Sequence, residues 1–144
     1  MALSHVLHVT KEGKAVAPDR VIHIIDDEKD IVIAAASALK RHGYAVHSFS
    51  SASEALEDIE MKCRERVSML ITDVRMPAHS GFEIARRTRA IIPDVPVVFM
   101  TAFEINTTEF DKIFPSLKIN EFLQKPFQLQ RLLQVVKKYE KDNT

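Results

Sequence analysis

Short apolar segments alternate with helix-like segments along most of this 144-residue chain. Such runs of branched aliphatic and aromatic residues are typical of β-strands; they occupy residues 21–25, 45–49, 68–72, 96–100 and 121–124. Gly43 and Pro93 follow two of the helix-like segments, where glycine and proline commonly end helices. Because parallel strands need long crossover connections, the alternation predicts an α/β fold, with a doubly wound five-stranded parallel sheet and helices on both faces.

The sequence indicates two of the predicted helices clearly, and a third, before the fifth strand, less clearly. Ser51 and Glu54 resemble a capping box at the start of the second helix. The last helix carries an apolar stripe with the spacing of an amphipathic helix, formed by Leu129, Leu132, Leu133 and Val136. Before the fifth strand, we expect a short helix that begins at Thr107 or Thr108 and ends at Pro115.

The chain length suits one domain of ordinary size, with short additions at both ends. We assign residues 1–20 to an N-terminal extension, either a tail or a short edge strand formed by residues 5–9. Residues 21–140 form the predicted domain, and residues 141–144 a C-terminal tail. Because the chain ends soon after the last helix, we expect either a stand-alone domain or one excised from a longer protein.

Composition excludes several classes of function. The 20 basic and 20 acidic residues cancel, so charge gives no reason to expect binding to nucleic acid or to an anionic membrane. A single cysteine, Cys63, excludes an intramolecular disulfide and any multi-cysteine metal site. No apolar run reaches the roughly 18 residues of a membrane span, and no secretory signal or glycine-rich nucleotide loop is visible. We therefore expect a cytoplasmic protein.

Polar residues follow four of the five predicted strands. They are Asp26 and Asp27 after the first strand, Asp73 after the third, Thr101 after the fourth and Lys125 after the fifth. Ligands of open α/β sheets bind at this carboxyl edge. Three neighbouring carboxylates repel one another, and Mg²⁺ prefers a few carboxylates together with water and phosphate oxygens. The pattern therefore predicts a Mg²⁺ and phosphate site.

Each of these residues also has an ordinary explanation, as a helix cap, a turn, a packed threonine or a loop lysine. Their joint occurrence at successive strand ends favours the functional interpretation. The six histidines do not show such a pattern, because they are scattered and no two have the i, i+4 spacing of a helical metal site. We predict no metal site on His5, His8, His23, His42, His47 or His79.

Four sequence segments together carry a resemblance to a known family. They are Ile-Asp-Asp-Glu at 25–28, Asp-Val-Arg-Met-Pro at 73–77 with Gly81, Met-Thr-Ala at 100–102, and Phe-Leu-Gln-Lys-Pro-Phe at 122–127. Over residues 21–139 the chain resembles a response-regulator receiver domain of two-component signalling. This resemblance implies a flavodoxin-like sheet of order 2-1-3-4-5.

The resemblance also implies a reaction and its residues. Asp73 would be the phosphoacceptor, taking a phosphoryl group from a phosphohistidine of a sensor histidine kinase or a histidine phosphotransfer protein. Asp26, Asp27 and Asp73 would bind Mg²⁺ together with the backbone carbonyl of Arg75. The domain would then be a signalling switch, with Mg²⁺-dependent self-phosphorylation and slow loss of the phosphoryl group, and not an enzyme.

Further roles follow from the same resemblance. Thr101 and Lys125 would contact the phosphoryl oxygens, and Phe122 would turn inward when Thr101 moves. The Lys125–Pro126 peptide bond would be cis. Arg75 and Phe103 would flank the path of the hydrolytic water, and their bulk predicts a long-lived phosphoaspartate.

The region between Thr101 and Lys125 departs from the family pattern, since it is longer and has an unusual turn at residues 115–120. A short or displaced helix there would alter the surface through which the domain binds an unknown downstream protein or forms a homodimer. That surface would comprise this helix, the fifth strand and the last helix. Two alternatives stay open: a pseudo-receiver that only binds proteins, and a small Mg²⁺-dependent phosphatase with Asp73 as nucleophile.

Overall fold

The computed structural model describes residues 8–9, 15–16, 20–62, 67–104, 106, 108, 110, 112 and 115–140. The predicted C-terminal tail, Cys63 and the candidate cap Thr107 lie outside this part of the chain, as do residues 5–7 of the possible edge strand. His8–Val9 pairs with Ala15–Val16 in a separate antiparallel two-stranded sheet. This pairing does not extend the edge of the main sheet.

The main sheet has five parallel strands in the predicted order. They are β1 (Val21–Ile25), β2 (Ala45–Phe49), β3 (Val67–Asp73), β4 (Val97–Thr101) and β5 (Glu121–Gln124). The order is β2-β1-β3-β4-β5, which confirms both the α/β class and the topology. All residues of β1 and β4 are buried, as expected for strands covered by helices on both faces.

Among the continuously described segments, four helices flank the sheet in two pairs: α1 (Lys29–Arg41), α2 (Ala52–Glu57), α3 (Gly81–Ile91) and α4 (Leu129–Glu140). A π-helical turn, Asp58–Lys62, continues α2. One apolar core lies beneath α2 and α3, and a second lies beneath α1 and α4. Successive side chains of a strand point to opposite faces of the sheet, so each strand contributes alternate residues to the two cores. Only side chains on the same face can contact one another.

The helix-start signal at Ser51 and the helix-end signal at Gly43 act where they were predicted, and Ser80 provides a further helix cap. The Ser51 hydroxyl accepts a hydrogen bond from the Glu54 backbone N–H at 3.3 Å, which caps α2. Ser80 caps α3 in the same way by accepting a bond from Glu83 N at 3.2 Å. Gly43 takes a φ of 90° after α1, a backbone conformation that suits glycine at the end of a helix.

The connection between β4 and β5 is helical at residues 108, 110 and 112 and forms a turn at residues 115–117. The predicted helix before Pro115 is therefore present at these described positions. Phe110 and Leu117 are buried in the core beneath α2 and α3, so the connection is packed onto the domain. Lys118 has a φ of 46°, in the left-handed region, where the chain turns back toward β5.

Candidate functional site

The three predicted carboxylates meet at the carboxyl edge of the sheet. Ile25 of β1 pairs with Thr72 of β3, so the residues that follow them are neighbours. One oxygen atom from each of Asp26, Asp27 and Asp73 lies within 4.8 Å of the other two. Asp26 and Asp73 are buried and Asp27 is exposed, which gives the cluster one side open to solvent.

Asp26 is the carboxylate that burial affects most. Its side chain is fully buried, and its Oδ1 accepts a hydrogen bond from Glu28 N at 2.9 Å. Burial raises the pKa of Asp26 to about 6, and the negative charge of Asp73 raises it further. Lys125 and the Glu28 N–H lower this pKa, but their effect is smaller. Ionisation of Asp26 is therefore less favourable in the folded protein than in the free side chain, and it lowers the free energy of unfolding.

Lys125 supplies the positive charge at this edge. Its Nζ lies 2.6 Å from Asp26 Oδ2, 3.0 Å from Glu28 Oε1 and 3.4 Å from Asp73 Oδ2. Burial alone lowers the pKa of Lys125, but the surrounding carboxylates outweigh it and raise the pKa overall. The ammonium is thus fully charged at neutral pH. The Lys125–Pro126 bond is cis, which confirms the conformation that the resemblance implied.

The backbone positions Asp73 tightly. Asp73 Oδ1 accepts a hydrogen bond from Val74 N at 2.8 Å, while Oδ2 lies toward Lys125. Gly81, the first residue of α3, passes against this segment, and a Cβ at Gly81 would lie only 2.3 Å from the Asp73 carbonyl oxygen. Only glycine fits there, because the obstructing atom belongs to the backbone.

The donors at this edge fit a hard divalent cation. All three side chains offer carboxylate oxygens, and Asp26 Oδ2 is a buried oxygen that accepts no hydrogen bond within the described part of the chain. Its contact with Lys125 is an ion pair without the alignment of a hydrogen bond. A cation of the Mg²⁺ type would satisfy this oxygen. Arg75 follows Asp73 by two residues, and the role of its carbonyl stays a prediction.

Thr101 and the two flanking residues form a connected group. Thr101 is 4% exposed, and its Oγ1 accepts a hydrogen bond from Phe103 N at 3.1 Å. The Phe103 side chain is 53% exposed, and the Arg75 guanidinium carbon lies 4.3 Å from the centre of its ring. This distance is that of a cation–π contact. The Arg75 and Phe103 side chains are therefore in contact, and their position beside the path of the hydrolytic water stays a prediction.

Phe122 lies on the face of the sheet that carries α3. It is partly buried, and its ring packs against Phe99 of β4 and Phe110 of the β4–β5 connection at centroid distances of 5.9 Å and 5.3 Å. Phe82 completes the cluster, 5.4 Å from Phe99 and 5.5 Å from Phe110. A change in Phe122 would therefore be transmitted to the β4–β5 connection through direct ring contacts.

Comparison with known proteins identifies the family. Residues 22–137 match the model of the response regulator receiver domain. The chain belongs to this family. Its members are signalling domains that switch through phosphorylation, rather than enzymes in the usual sense, and they typically bind Mg²⁺.

Relatives of this receiver domain occur in proteins of different sizes. This chain is 32% identical over 117 residues to the response regulator receiver protein CpdR of Brucella abortus, and the alignment covers 81% of this chain and 93% of CpdR. It is 31% identical to the response regulator SaeR of Staphylococcus epidermidis over 76% of this chain and 45% of SaeR. A match at 32% identity to the sensor kinase CckA of Brucella abortus spans 79% of this chain and 12% of CckA.

Solved structures show the same fold. A receiver domain protein from Clostridium thermocellum superposes with a TM-score of 0.72 at 27% identity, over 85% of this chain and 95% of that one. A CheY-like receiver domain protein from Methanospirillum hungatei gives a TM-score of 0.74 at 21% identity, over 86% of this chain and 95% of that one. Among the residues described for this receiver, no helix is both long and apolar enough to cross a membrane.

Sequence reasoning did not include Glu28 in the site. Its carboxylate lies 3.0 Å from Lys125 Nζ although the side chain is 62% exposed. The signal was present in the sequence, because Glu28 directly follows the Asp26-Asp27 pair and precedes α1. An acidic residue at that position is equally typical of a helix N-terminus, so its contact with Lys125 depends on the tertiary structure.

Proposed function

We propose that this receiver domain accepts a phosphoryl group on Asp73 from a phosphohistidine of a sensor histidine kinase or a histidine phosphotransfer protein. The observation that carries the proposal is the convergence of Asp26, Asp27 and Asp73 beside the Lys125 ammonium. The similarity to part of a sensor kinase supports this class of partner. Mg²⁺ would be held by the three carboxylates and the Arg75 backbone carbonyl.

The chemistry needs positioning and charge neutralisation more than covalent assistance. A carboxylate oxygen of Asp73 attacks phosphorus, the new P–O bond forms, the P–N bond breaks, and the donor histidine keeps the bonding electrons. Because Asp73 Oδ1 is occupied by Val74 N, Oδ2 is the better placed nucleophile. Bound Mg²⁺ would neutralise charge on the phosphoryl oxygens. Lys125 and Thr101 would contact the same oxygens, with the ammonium leaving its present carboxylate partners.

The switch would connect this reaction to a binding surface. Movement of Thr101 toward the phosphoryl group would let Phe122 move inward, and the Phe99–Phe110–Phe122 contacts would carry the change to the β4–β5 connection. We propose that this connection, β5 and α4 bind a downstream protein or a second copy of the chain. The pseudo-receiver alternative would keep the binding surface without phosphorylation.

The function is tested by exposing the intact protein to acetyl phosphate and measuring its mass, with Mg²⁺ present or with a chelator in its place. We expect the addition of one phosphoryl group in Mg²⁺ and none with the chelator. Phosphohistidine-bearing kinases and phosphotransfer proteins then replace acetyl phosphate as donors. An unmodified protein with every donor would refute the proposal and leave the pseudo-receiver interpretation.

Replacement of Lys125 by alanine should separate phosphorylation from the conformational change. Asp73 and the metal ligands remain, so the variant should still be phosphorylated, although about tenfold more slowly because one charge-assisted contact is lost, ~1.4 kcal/mol in the barrier. The Phe122 ring resonances in NMR spectra should then keep their resting positions on addition of beryllofluoride.

The matched control for this variant is Lys40→Ala, which removes an exposed lysine from α1. It should show the same beryllofluoride-induced shifts of Phe122 as the unmodified sequence. If the Lys125→Ala protein also showed those shifts in full, Lys125 would have no part in coupling the site to Phe122.

The Arg75–Phe103 pair should slow the loss of the phosphoryl group. Hydrolysis requires water in line with the bond from Asp73 to phosphorus, and the stacked pair stands beside this site with no polar group on Phe103 to orient water. We expect the double variant Arg75→Asn, Phe103→Glu to dephosphorylate about tenfold faster, equivalent to ~1.4 kcal/mol in the barrier. The measurement is the decay of phosphorylated protein after removal of the donor.

The single variant Arg75→Asn separates the shielding of phosphorus from water from the electrostatic effect of the arginine. An arginine can also stabilise the transition state of phosphoryl transfer, which would make the single variant slower. Equal or slower decay in the double variant would show that these side chains do not shield the phosphoryl group.

A further inference from the structure

Two histidines and an aspartate converge on the face of the sheet beneath α2, away from the acidic edge. His23 lies in the middle of β1 and pairs in register with His47 of β2. Asp58 begins the π-helical turn that continues α2, and this turn brings its carboxylate over both rings. His23 precedes Asp26 by three residues, so the cluster lies roughly 10 Å along the strand from the acidic site.

The potential ligand atoms of these three residues lie close together. His23 Nε2 lies 2.9 Å from Asp58 Oδ2, and His47 Nδ1 lies 3.5 Å from the same oxygen. All three potential ligand atoms lie within 4.8 Å of one another. In a tetrahedral site with bonds of roughly 2.0–2.2 Å, ligand atoms are about 3.3–3.6 Å apart. The His47–Asp58 distance already has this spacing, and a shift of a few tenths of an ångström at His23 would bring the His23–Asp58 distance to it.

Burial makes this cluster unlike a surface group of polar residues. The side chain of His23 is fully buried, that of Asp58 is 15% exposed and that of His47 is 35% exposed. The Phe49 ring stacks on His23 at a centroid distance of 5.7 Å and holds the imidazole in place. Access from solvent is through the His47 side, where a water molecule would supply the fourth ligand of a zinc-type site.

Contacts at both ring nitrogens orient the His23 imidazole. Its Nδ1 faces the Val21 carbonyl oxygen at 3.5 Å, the arrangement in which a ligating histidine directs its other ring nitrogen toward a backbone acceptor. At the other end of the ring, Nε2 lies 2.9 Å from Asp58 Oδ2, within hydrogen-bonding distance. A metal ion bound between Nε2 and this carboxylate would take the place of the proton that the hydrogen bond requires.

We propose that His23, His47 and Asp58 form a binding site for a divalent transition-metal ion of the zinc class. Two imidazole nitrogens and one carboxylate suit Zn²⁺, whereas Mg²⁺ and Ca²⁺ prefer oxygen ligands only. The site is separate from the acidic cluster, and it joins β1, β2 and the end of α2. A bound ion would fix α2 against the sheet, independently of phosphorylation.

The test titrates the whole protein with Co²⁺, a spectroscopic substitute for Zn²⁺, in saturating Mg²⁺ that occupies the acidic edge. We expect one equivalent to give the strong visible absorption of tetrahedral cobalt, and one equivalent of Zn²⁺ to remove it. In NMR spectra, Zn²⁺ should shift the ring nitrogens of His23 and His47. Absence of the absorption and of these shifts would refute the site.

Variants assign the ligands. His47→Gln changes the most exposed of the three side chains and should weaken metal binding by at least about tenfold, ~1.4 kcal/mol. The matched control His79→Gln removes a histidine that contacts Glu83 on α3 and should bind the ion normally. Asp27→Asn, at the acidic edge, should also retain the cobalt spectrum. Unchanged binding in His47→Gln, or loss of binding in Asp27→Asn, would overturn the assignment.

Discussion

The Asp73→Asn protein should accept no phosphoryl group from acetyl phosphate or from a phosphorylated histidine partner. An amide nitrogen and a neutral carbonyl oxygen replace the carboxylate that would attack phosphorus, so the nucleophile is lost while the shape of the side chain is kept. Intact-mass measurement after incubation with the donor and Mg²⁺ checks this result. Beryllofluoride should likewise leave the NMR spectrum of the variant unchanged.

A carboxylate outside the site provides the control. Asp94 lies in the exposed turn before β4, and Asp94→Asn should be phosphorylated to the same extent as the unmodified sequence. Circular dichroism on both variants verifies that the fold is retained. Phosphoryl incorporation that persists in Asp73→Asn would show that another residue accepts the group.

The Asp26→Asn protein should lose Mg²⁺ binding and yet be more stable at pH 7 when no metal is present. Its buried carboxylate has a pKa of about 6 in the folded protein against 3.8 for the free side chain, so ionisation opposes folding. This difference corresponds to ~3 kcal/mol at most. Because Lys125 loses a partner in the variant, we expect a gain of only about 1–2 kcal/mol in the free energy of unfolding.

The sign of this effect sets its pH dependence. Between pH 3.8 and about 6 the folded form of the unmodified protein binds more protons at Asp26 than the unfolded form, so this contribution to stability falls as pH rises. The advantage of Asp26→Asn should therefore be full above pH 6 and shrink as the pH falls toward 4. Urea unfolding at several pH values, without divalent ions, measures it.

Asp27→Asn is the matched control for the stability effect. Asp27 belongs to the same carboxylate cluster, which we propose binds Mg²⁺, but it is exposed, so its neutralisation should reduce Mg²⁺ affinity without raising stability. Saturating Mg²⁺ should stabilise the unmodified protein and not Asp26→Asn. An Asp26→Asn protein that is less stable at pH 7 would contradict the view that burial of this charge is unfavourable.

The architecture was predictable because its determinants are local in the sequence. Buried parallel strands appear as continuous apolar runs, helix caps such as Ser51 have specific chemistry, and parallel strands require crossovers. The site was predictable for a related reason: in such a sheet, the residues that follow the strands must meet at one edge. The order of strands along the chain was therefore enough to predict that Asp26, Asp73 and Lys125 lie close together.

The remaining features depend on register and on tertiary contacts. His23 and His47 meet through strand pairing, and Asp58 approaches them from the start of the π-helical turn that follows α2. A search for histidines at helical spacing cannot detect such a group. The prediction from the sequence that these histidines bind no metal is therefore opposed by our proposal, and the cobalt titration decides between the two. The bond from Phe103 N to Thr101 likewise has no signal in residue type.

The hydrogen bond from Phe103 N to Thr101 would link two properties of the proposed signalling cycle. A threonine hydroxyl can accept the Phe103 N–H and still donate its own proton to a phosphoryl oxygen, so displacement of Thr101 would draw Phe103 with it. Phe103 in turn carries the Arg75 guanidinium on its ring. If these residues act as proposed, the lifetime of the phosphorylated state and the extent of the conformational change would depend on one connected set of atoms, and a substitution that alters one property would alter the other.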